Sequence, residues 1–529
     1  MNEYEDVQKR VWLFIKTNEN LICLCISVLF CFVWGIVTHG EIIFNKFSVH
    51  DDLANIFGYA IKEGSYTSGR WAAEILQLFF RGLYGGKVYS IAPYNMFFAF
   101  TITGFITYYL CKLLDVNNVI LVFVIAGFLV NFPSFTSMTG YVYTIVFNQI
   151  AYFLVILSVY MLFQCDKGRY TIIMPIIFTS FAIGIYQAVI PFFIALILIK
   201  CMCLVLKGEL VNLKRILVIF LQCFSYSLSS LVMYIVGLKI SLKIHDAELS
   251  SYQGIDTAGT TSISGYIKRI SNCYVEFFFP ERCNSADVYP QTIRLLYYVV
   301  IVLIAVFLLF KIHKMVCDKR FVEAIMLLGL AVLLPVGLNF IYLMCDPKIT
   351  HIYSIMKYTN VLVFILACVL LDVFVSDVCY RAYKFVVVGS MAIVLLSVVF
   401  YSRYSNVCYL VYQLKFTQAI SYFTELKTRI ESCQGYYSDI PVVFVNGDSK
   451  EEPVSNSIDE FPEVTIPPYA TSIINDYNWV GFMYRWLGYK PNIVYLDDDF
   501  LLKNGIENMN HYPEDNSIEI CDGVLVVNF

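Results

Sequence analysis

LICLCISVLFCFVWGIVT, Leu21 to Thr38, decides the fold class. It runs for 18 residues without a charge, and a helix rising 1.5 Å per residue would make it roughly 27 Å long, close to the ~30 Å hydrocarbon core of a bilayer. Comparable apolar runs lie at Ile91–Lys112, Val119–Phe132, Val142–Phe163, Ile172–Ile185, Val189–Leu206, Ile216–Leu238, Leu295–Phe310, Ala324–Met344, Tyr353–Val375 and Phe385–Tyr401. Together they predict an α-helical polytopic membrane protein of about eleven transmembrane helices, the third and fifth short enough to be tilted or re-entrant. Composition points the same way. The 529 residues are 59% hydrophobic and 15% charged, with mean hydropathy +0.67, against about half and a quarter in a soluble domain. A soluble enzyme is excluded. Disordered and collagen-like classes fail too, because aromatics reach 17% with only 27 Gly and 15 Pro.

Lys and Arg resist translocation, so their positions in short connections set the orientation. Lys9, Arg10 and Lys16 precede the first span, and Lys112, Lys167, Arg169, Lys200, Lys207, Lys214, Arg215, Lys311, Lys314, Lys319, Arg320, Arg381 and Lys384 fall on alternate connections. The turns Phe132–Tyr141 and Tyr186–Ala188 carry none. The N-terminus is expected to be cytoplasmic and, by odd parity, the C-terminus extracytoplasmic. Leu21–Thr38 is longer than a signal-peptide core, and Trp34–Gly40 offers no small-x-small cleavage site, so it reads as a signal anchor.

The expected organisation is a membrane body over residues 1–401, with outer loops 40–90 and 241–291, and a small extracytoplasmic α/β tail over 402–529. The tail should hold an amphipathic helix from about Asn406 to Ser432, strands Pro441–Val445, Asn492–Leu496 and Gly523–Phe529, and a helix near Trp479–Leu487. Its 18 acids against 8 bases give net −10, a poor place for a lipid phosphate. No Gly-rich phosphate loop follows either of its first strands, and Asp497–Asp499 reads as a surface turn. Cys273 with Cys283, and Cys433 with Cys521, are disulfide candidates.

Chemistry concentrates at the outer ends of the spans. His50, Asp51 and Asp52 follow the first span, in a chain poor in charge. Two adjacent carboxylates there are either a helix cap or a base or metal-binding pair at the membrane surface. Glu41 is a third acid within reach. Arg70 before Trp71 is either an interfacial anchor or a planar fork for phosphate oxygens. His351 and Tyr358 are seven residues apart on one expected helix face, with Lys357 beside them. Tyr186 and Gln187 are the polar members of an apolar hairpin.

In order and sidedness these features resemble the serotype-converting glucosyltransferases of the Gtr type II kind, membrane enzymes of the GT-C class. The resemblance rests on Asp51-Asp52, Gly69-Arg70-Trp71, Tyr186-Gln187, Leu334-Pro335 leading to His351 and Tyr358, and Tyr512-Pro513 through Ile518 to Asp522-Gly523 and Val526-Val527. It covers nearly the whole chain, with Asn528 where a basic residue is expected. It implies a GT-C-like body in a bacterial cytoplasmic membrane that moves a hexose, typically glucose, from a polyprenyl-phosphate donor such as undecaprenyl phosphate to a cell-surface glycan such as O-antigen. On that reading Asp51 or Asp52 removes the acceptor proton, with Glu41 as a further acid. Arg70, with Lys357 or His351, balances the phosphate, and Trp71, Tyr186, Gln187 and Tyr358 line the substrate. A single displacement inverts the anomeric centre. No obligatory cofactor is expected, a divalent metal on Asp51 and Asp52 being the alternative, and no nucleic-acid partner. A transporter or flippase for lipid-linked sugars would instead carry inverted repeats, broken helices and midplane polar sites. No repeat is evident, and Asp372, the main intramembrane acid, lies towards the cytoplasmic end. A surface-polysaccharide polymerase or ligase shares the outer-face geometry and differs in its product.

Overall fold

The computed structural model describes residues 18–45, 51–55, 63–164, 169–210, 213–251, 261–280, 289–345, 352–375, 380–446, 461, 464–466, 469, 479–495 and 498–529. In chain order its helices begin with α1 (Glu19–Phe44), the short α2 (Asp51–Asn55) and α3 (Glu63–Thr67), α4 (Trp71–Tyr84), α5 (Ala92–Leu114) and α6 (Val119–Asn131). They continue through α7 (Pro133–Thr139), α8 (Val142–Gln164), α9 (Arg169–Ile185), α10 (Val189–Leu206), α11 (Leu213–Ile244) and α12 (Ile263–Phe278). Then come α13 (Gln291–Cys317), α14 (Phe321–Leu338), α15 (Ile341–Met344), a 3-10 segment (Ser354–Asn360), α16 (Val361–Val375) and α17 (Tyr380–Ser432). Helices α18 (Trp479–Leu487) and α19 (Asp498–Lys503) close the series among four strands.

Among the described residues nine helices are long and apolar enough to cross a membrane. The two runs that are short in sequence are the exceptions. The third becomes α6 and α7, bent by 46° at one residue, and the fifth is the shorter apolar helix Ile172–Ile185. Proline explains the bend of the third. Phe132 precedes Pro133 and takes ψ 140, leaving the helix, while Pro133 restarts it at the first position of α7. Pro175 lies inside α9.

Contacts define the two ends of the bundle. At one end Thr38 donates to Asn131 at 2.8 Å, and Tyr358 donates to the Leu129 carbonyl at 2.5 Å. At the other, Lys200 donates to the Leu113 carbonyl at 2.6 Å and meets Asp115 at 3.2 Å, with Lys207 at 2.7 Å on the same carboxylate. Asp372 is also at that end, where its two oxygens accept the N–H groups of Asn117 and Asn118 at 3.3 and 3.2 Å. This acid satisfies free backbone donors at the start of α6.

A break expected between Tyr401 and Asn406 is absent. Helix α17 runs unbroken for 53 residues, about 80 Å at 1.5 Å per residue. Ser402-Arg403-Tyr404-Ser405 contains no Pro or Gly to interrupt it, and Ser405 bonds back to the Tyr401 carbonyl at 3.0 Å. The four strands β1 (Pro441–Val445), β2 (Asn492–Ile493), β3 (Ile518–Cys521) and β4 (Val524–Asn528) form one sheet in the order β2-β1-β4-β3. β1 is parallel to β2 and β4, and β3 is antiparallel to β4. Strand β2 is shorter than the expected Asn492–Leu496, and β3 was not expected. Asp499 belongs to α19 rather than to a turn, and Asp497 lies outside the described residues. Cys273, Cys433 and Cys521 are free thiols, and Cys283 lies outside the described residues.

A buried polar network joins α1, α7 and α17 to the tail. His39 meets the Tyr409 hydroxyl at 2.5 Å and the Val130 carbonyl at 2.9 Å. Thr139 bridges Tyr409 at 2.9 Å and Tyr469 at 2.5 Å, and Lys415 donates to the Tyr469 carbonyl at 3.1 Å.

Candidate active site

Asp51 and Asp52 open α2, five residues long. Asp52 is only 4% exposed. It accepts from the Ser90 hydroxyl at 2.5 Å and from the Tyr143 backbone N–H at the start of α8. Burial raises its pKa to about 7; the Ser90 and Tyr143 bonds offset part of that rise, and the Asp51 charge adds to it. Helix α2 is held from the tail as well, since Arg485 of α18 donates to the Leu53 carbonyl. Asp51 is half-buried beside it. Glu41 falls in the last turn of α1, half-buried, without a side-chain partner among the described residues. His50 lies outside the described residues.

Arg70 sits where α3 turns into α4. Its guanidinium lies 5.7 Å above the Tyr186 ring, its Nε is buried without a hydrogen-bond partner, and no carboxylate pairs with it among the described residues. The turn that carries it is held from the α9–α10 hairpin and from α11, and the hairpin in turn from the 3-10 segment. Gln187 donates to the Ser68 carbonyl at 2.7 Å, Tyr234 of α11 donates to the Gly69 carbonyl at 3.2 Å, and Tyr186 donates to the Ile355 carbonyl at 3.0 Å. His245 at the end of α11 adds a brace, 3.0 Å from both oxygens of Glu74 and stacked on Tyr66 at 4.0 Å. Arg70, Tyr186 and Gln187 are thus one group, a fixed cation with donor capacity to spare.

Trp71 is a wedge rather than an interfacial anchor. A Cβ added to Gly184 of α9 would lie 2.7 Å from its ring, and one added to Gly237 of α11 would lie 2.6 Å from it. Glycine is the residue that lets both helices close on the indole. Gly184→Ala is therefore expected to lower stability by about 1–3 kcal/mol, the typical cost of overpacking, with Trp71→Phe restoring most of it; thermal unfolding in detergent checks both.

Lys357 and Tyr358 do not line an open site. Lys357 is 4% exposed and pairs with Glu276 of α12 at 2.9 Å; the other oxygen of that carboxylate accepts from Tyr342 at 2.8 Å. Tyr358 is fully buried, bonded to Leu129 and packed against Tyr152 with ring centroids 4.7 Å apart. The shared face with His351 depended on helical phase, but residues 354–360 form a 3-10 segment with non-helical φ/ψ at Lys357. His351 lies outside the described residues. Glu276 was missed from sequence. The signal was its place among Arg269, Cys273 and Phe277, the buried face of α12.

No direct contact joins Asp52 to Arg70 among the described residues. They are linked through two elements that pack together, α7 and the 3-10 segment. Tyr143, four residues beyond α7, holds Asp52, while Ile355 in the 3-10 segment holds Tyr186 under Arg70. No three His, Cys, Asp or Glu side chains gather at metal-binding spacing among the described residues.

Comparison with protein families matches residues 40–364 to the description "Glucosyl transferase GtrII". That stretch is more than half of the chain and contains Glu41, Asp51, Asp52, Arg70, Trp71, Tyr186, Gln187, His351, Lys357 and Tyr358. Neither the curated proteins nor the solved structures gave a match.

Proposed function

Because this chain belongs to the GtrII glucosyl transferase family, we propose that it moves glucose from a polyprenyl-phosphate donor to a cell-surface glycan on the outer face of a bacterial cytoplasmic membrane. The observation that carries this reading is Asp52, a buried carboxyl with its pKa near neutrality, at the same end of an apolar bundle as the Arg70 guanidinium, which has no carboxylate partner among the described residues. A general base works best when its pKa lies near the working pH. The donor's chain stays in the bilayer and its phosphate rests against Arg70, whose planar fork suits phosphate oxygens. Asp52 takes the proton of an acceptor hydroxyl. The oxygen attacks the anomeric carbon, and the phosphate leaves with the bonding pair on the opposite side, giving inversion. Asp51 supports Asp52 electrostatically. Lys357 and Trp71 hold the scaffold, so among the described residues of this end Arg70 is the cation we assign to the leaving group.

The sidedness rests on the basic residues of the alternate connections, and eleven spans would follow if the bent pair α6–α7 and α9 each cross. Residues 402–529 are proposed as a separate α/β unit on the outer face, carried by the far half of α17. Asp372 bonds backbone N–H groups at the opposite end, a capping role rather than a step in a transport cycle.

The test is transfer of labelled glucose from purified polyprenyl-phosphate glucose to a glycan acceptor by the protein in nanodiscs. One added sugar per acceptor end supports the reading. Joined repeat units would make it a polymerase, and movement of the lipid-linked sugar across vesicles without transfer would make it a flippase. In the same assay Arg70→Ala is expected to lower kcat/KM for the donor by about a hundredfold. Arg70→Lys should recover little, because a compact ammonium does not reproduce the fork.

A further inference from the structure

Among the described residues, five fully buried residues around α7 and the 3-10 segment carry a polar group with no hydrogen-bond partner: Asn131 Nδ2, Ser134 Oγ, Tyr152 OH, Ser354 Oγ and Thr359 Oγ1. All five are at 0% exposure. Stranded polar groups are costly in an interior, and native proteins keep them few. These five fall on neighbouring pieces of one junction. Asn131 ends α6 and Ser134 lies in the first turn of α7, on either side of the bend at Phe132. Ser354 and Thr359 belong to the 3-10 segment that packs on α7, and the Tyr152 ring lies 4.7 Å from Tyr358 of that segment. The buried Lys357–Glu276 pair pins the same segment.

The junction also lies between the two halves of the candidate active site. Its α7 side leads within four residues to Tyr143 on Asp52, and its other side bears Ile355, which holds Tyr186 beneath Arg70. These five groups are four hydroxyls and one amide nitrogen, joined by the unpartnered amide oxygen of the less buried Asn360 at the end of the 3-10 segment, all neutral, and the rings of Tyr152, Tyr358 and Phe192 pack on one another there. A phosphate would call for a cation there, and a lipid chain has no use for hydroxyls. A pyranose matches on both counts, offering hydroxyls that donate and accept and C–H faces that pack on aromatic rings.

We propose that Asn131, Ser134, Tyr152, Ser354 and Thr359 form the subsite for the hydroxyls of the donor sugar. This rests on the reading of the donor as a lipid-phosphate sugar and deepens it, assigning the sugar to the α7 junction and the phosphate to Arg70.

The test compares the full-length protein with Ser354→Ala, Thr359→Val and Tyr152→Phe, each titrated in nanodiscs with polyprenyl-phosphate glucose and with bare polyprenyl phosphate. Without ligand, the thermal midpoints of the variants should stay level or rise, since the removed groups bond nothing. Wild type should gain more from the glucose-bearing lipid than from the bare one. The variants should lose at least half of that extra gain, and their kcat/KM for transfer should fall about tenfold or more. Variants whose ligand-free midpoints fall while the sugar-specific gain survives would overturn the proposal and make the groups structural. Equal gains from both lipids in a wild type that still transfers glucose would also overturn it, leaving the donor reading intact. A wild type stabilised by neither lipid and transferring nothing would remove the donor reading and the subsite with it.

Discussion

Asp52→Asn is expected to lower glucosyl transfer by 10²–10⁴-fold, the usual share of a positioned general base, while leaving the protein folded. Asparagine has nearly the shape of the carboxyl and still offers an oxygen to Ser90 and to the Tyr143 N–H. What it lacks is the ability to take a proton. In the wild type, kcat/KM should rise with pH to a plateau above about 7, because the ionised form of Asp52 is the active one. Stability should run the other way. A carboxyl whose folded pKa is raised stabilises the fold fully below its unfolded value near 3.8, and that contribution is lost as pH climbs through about 7. The wild-type thermal midpoint should therefore fall across pH 6 to 8 by more than that of Asp52→Asn. Asp51→Asn should shift the activity profile to lower pH, since the Asp51 charge is one of the causes of the rise. Full activity in both variants would end the catalytic assignment.

The second large effect is on stability. Lys357→Met should cost about 3–5 kcal/mol, the typical result of leaving one member of a buried ion pair alone. Its partner Glu276 would be stranded at 4% exposure, with the Tyr342 hydroxyl its remaining side-chain partner among the described residues. Glu276→Gln combined with Lys357→Met removes both charges and should recover most of the loss, whereas a pair that matters little would give additive small effects. Because the pair ties α12 to the 3-10 segment, the single variant should also lose transfer activity, and the double variant should regain it. Thermal midpoints and initial rates on the four proteins of this cycle decide the matter.

What the sequence revealed and what it hid divide along the range of the interactions. Apolar runs are local, so hydropathy located the long helices, and even the bend at Pro133 was foreshadowed by a run too short to cross. Asp51 and Asp52 stood out because acids are rare in this chain. The difference between them was invisible, since it comes from Ser90, 38 residues away, and from Tyr143. The partner of Lys357 was hidden for the same reason: Glu276 lies 81 residues earlier, in what reads as an outer loop. The helical phase expected at Tyr358 does not hold, because three residues per turn scatter a spacing that 3.6 would align. One local signal was overlooked. Asp522 and Gly523 both have positive φ, 46° and 79°, and join β3 to β4, as an Asp-Gly pair between two apolar runs would suggest.

The unbroken α17 also acts as a ruler. Phe416 and Phe423 seat Phe482, Lys427 holds the Leu487 carbonyl, and Arg429 reaches the Pro513 carbonyl at 2.5 Å. The sheet and its helices are therefore strung along the far half of one rod, whose near half packs among α6, α13 and α16. Such a rod has no joint at which the tail could swing, so the standoff of the sheet from the bundle is counted out in residues of a single helix. Each added turn would lift it by about 5.4 Å, and the arm of Arg485 to Leu53 would have to let go of α2 to follow.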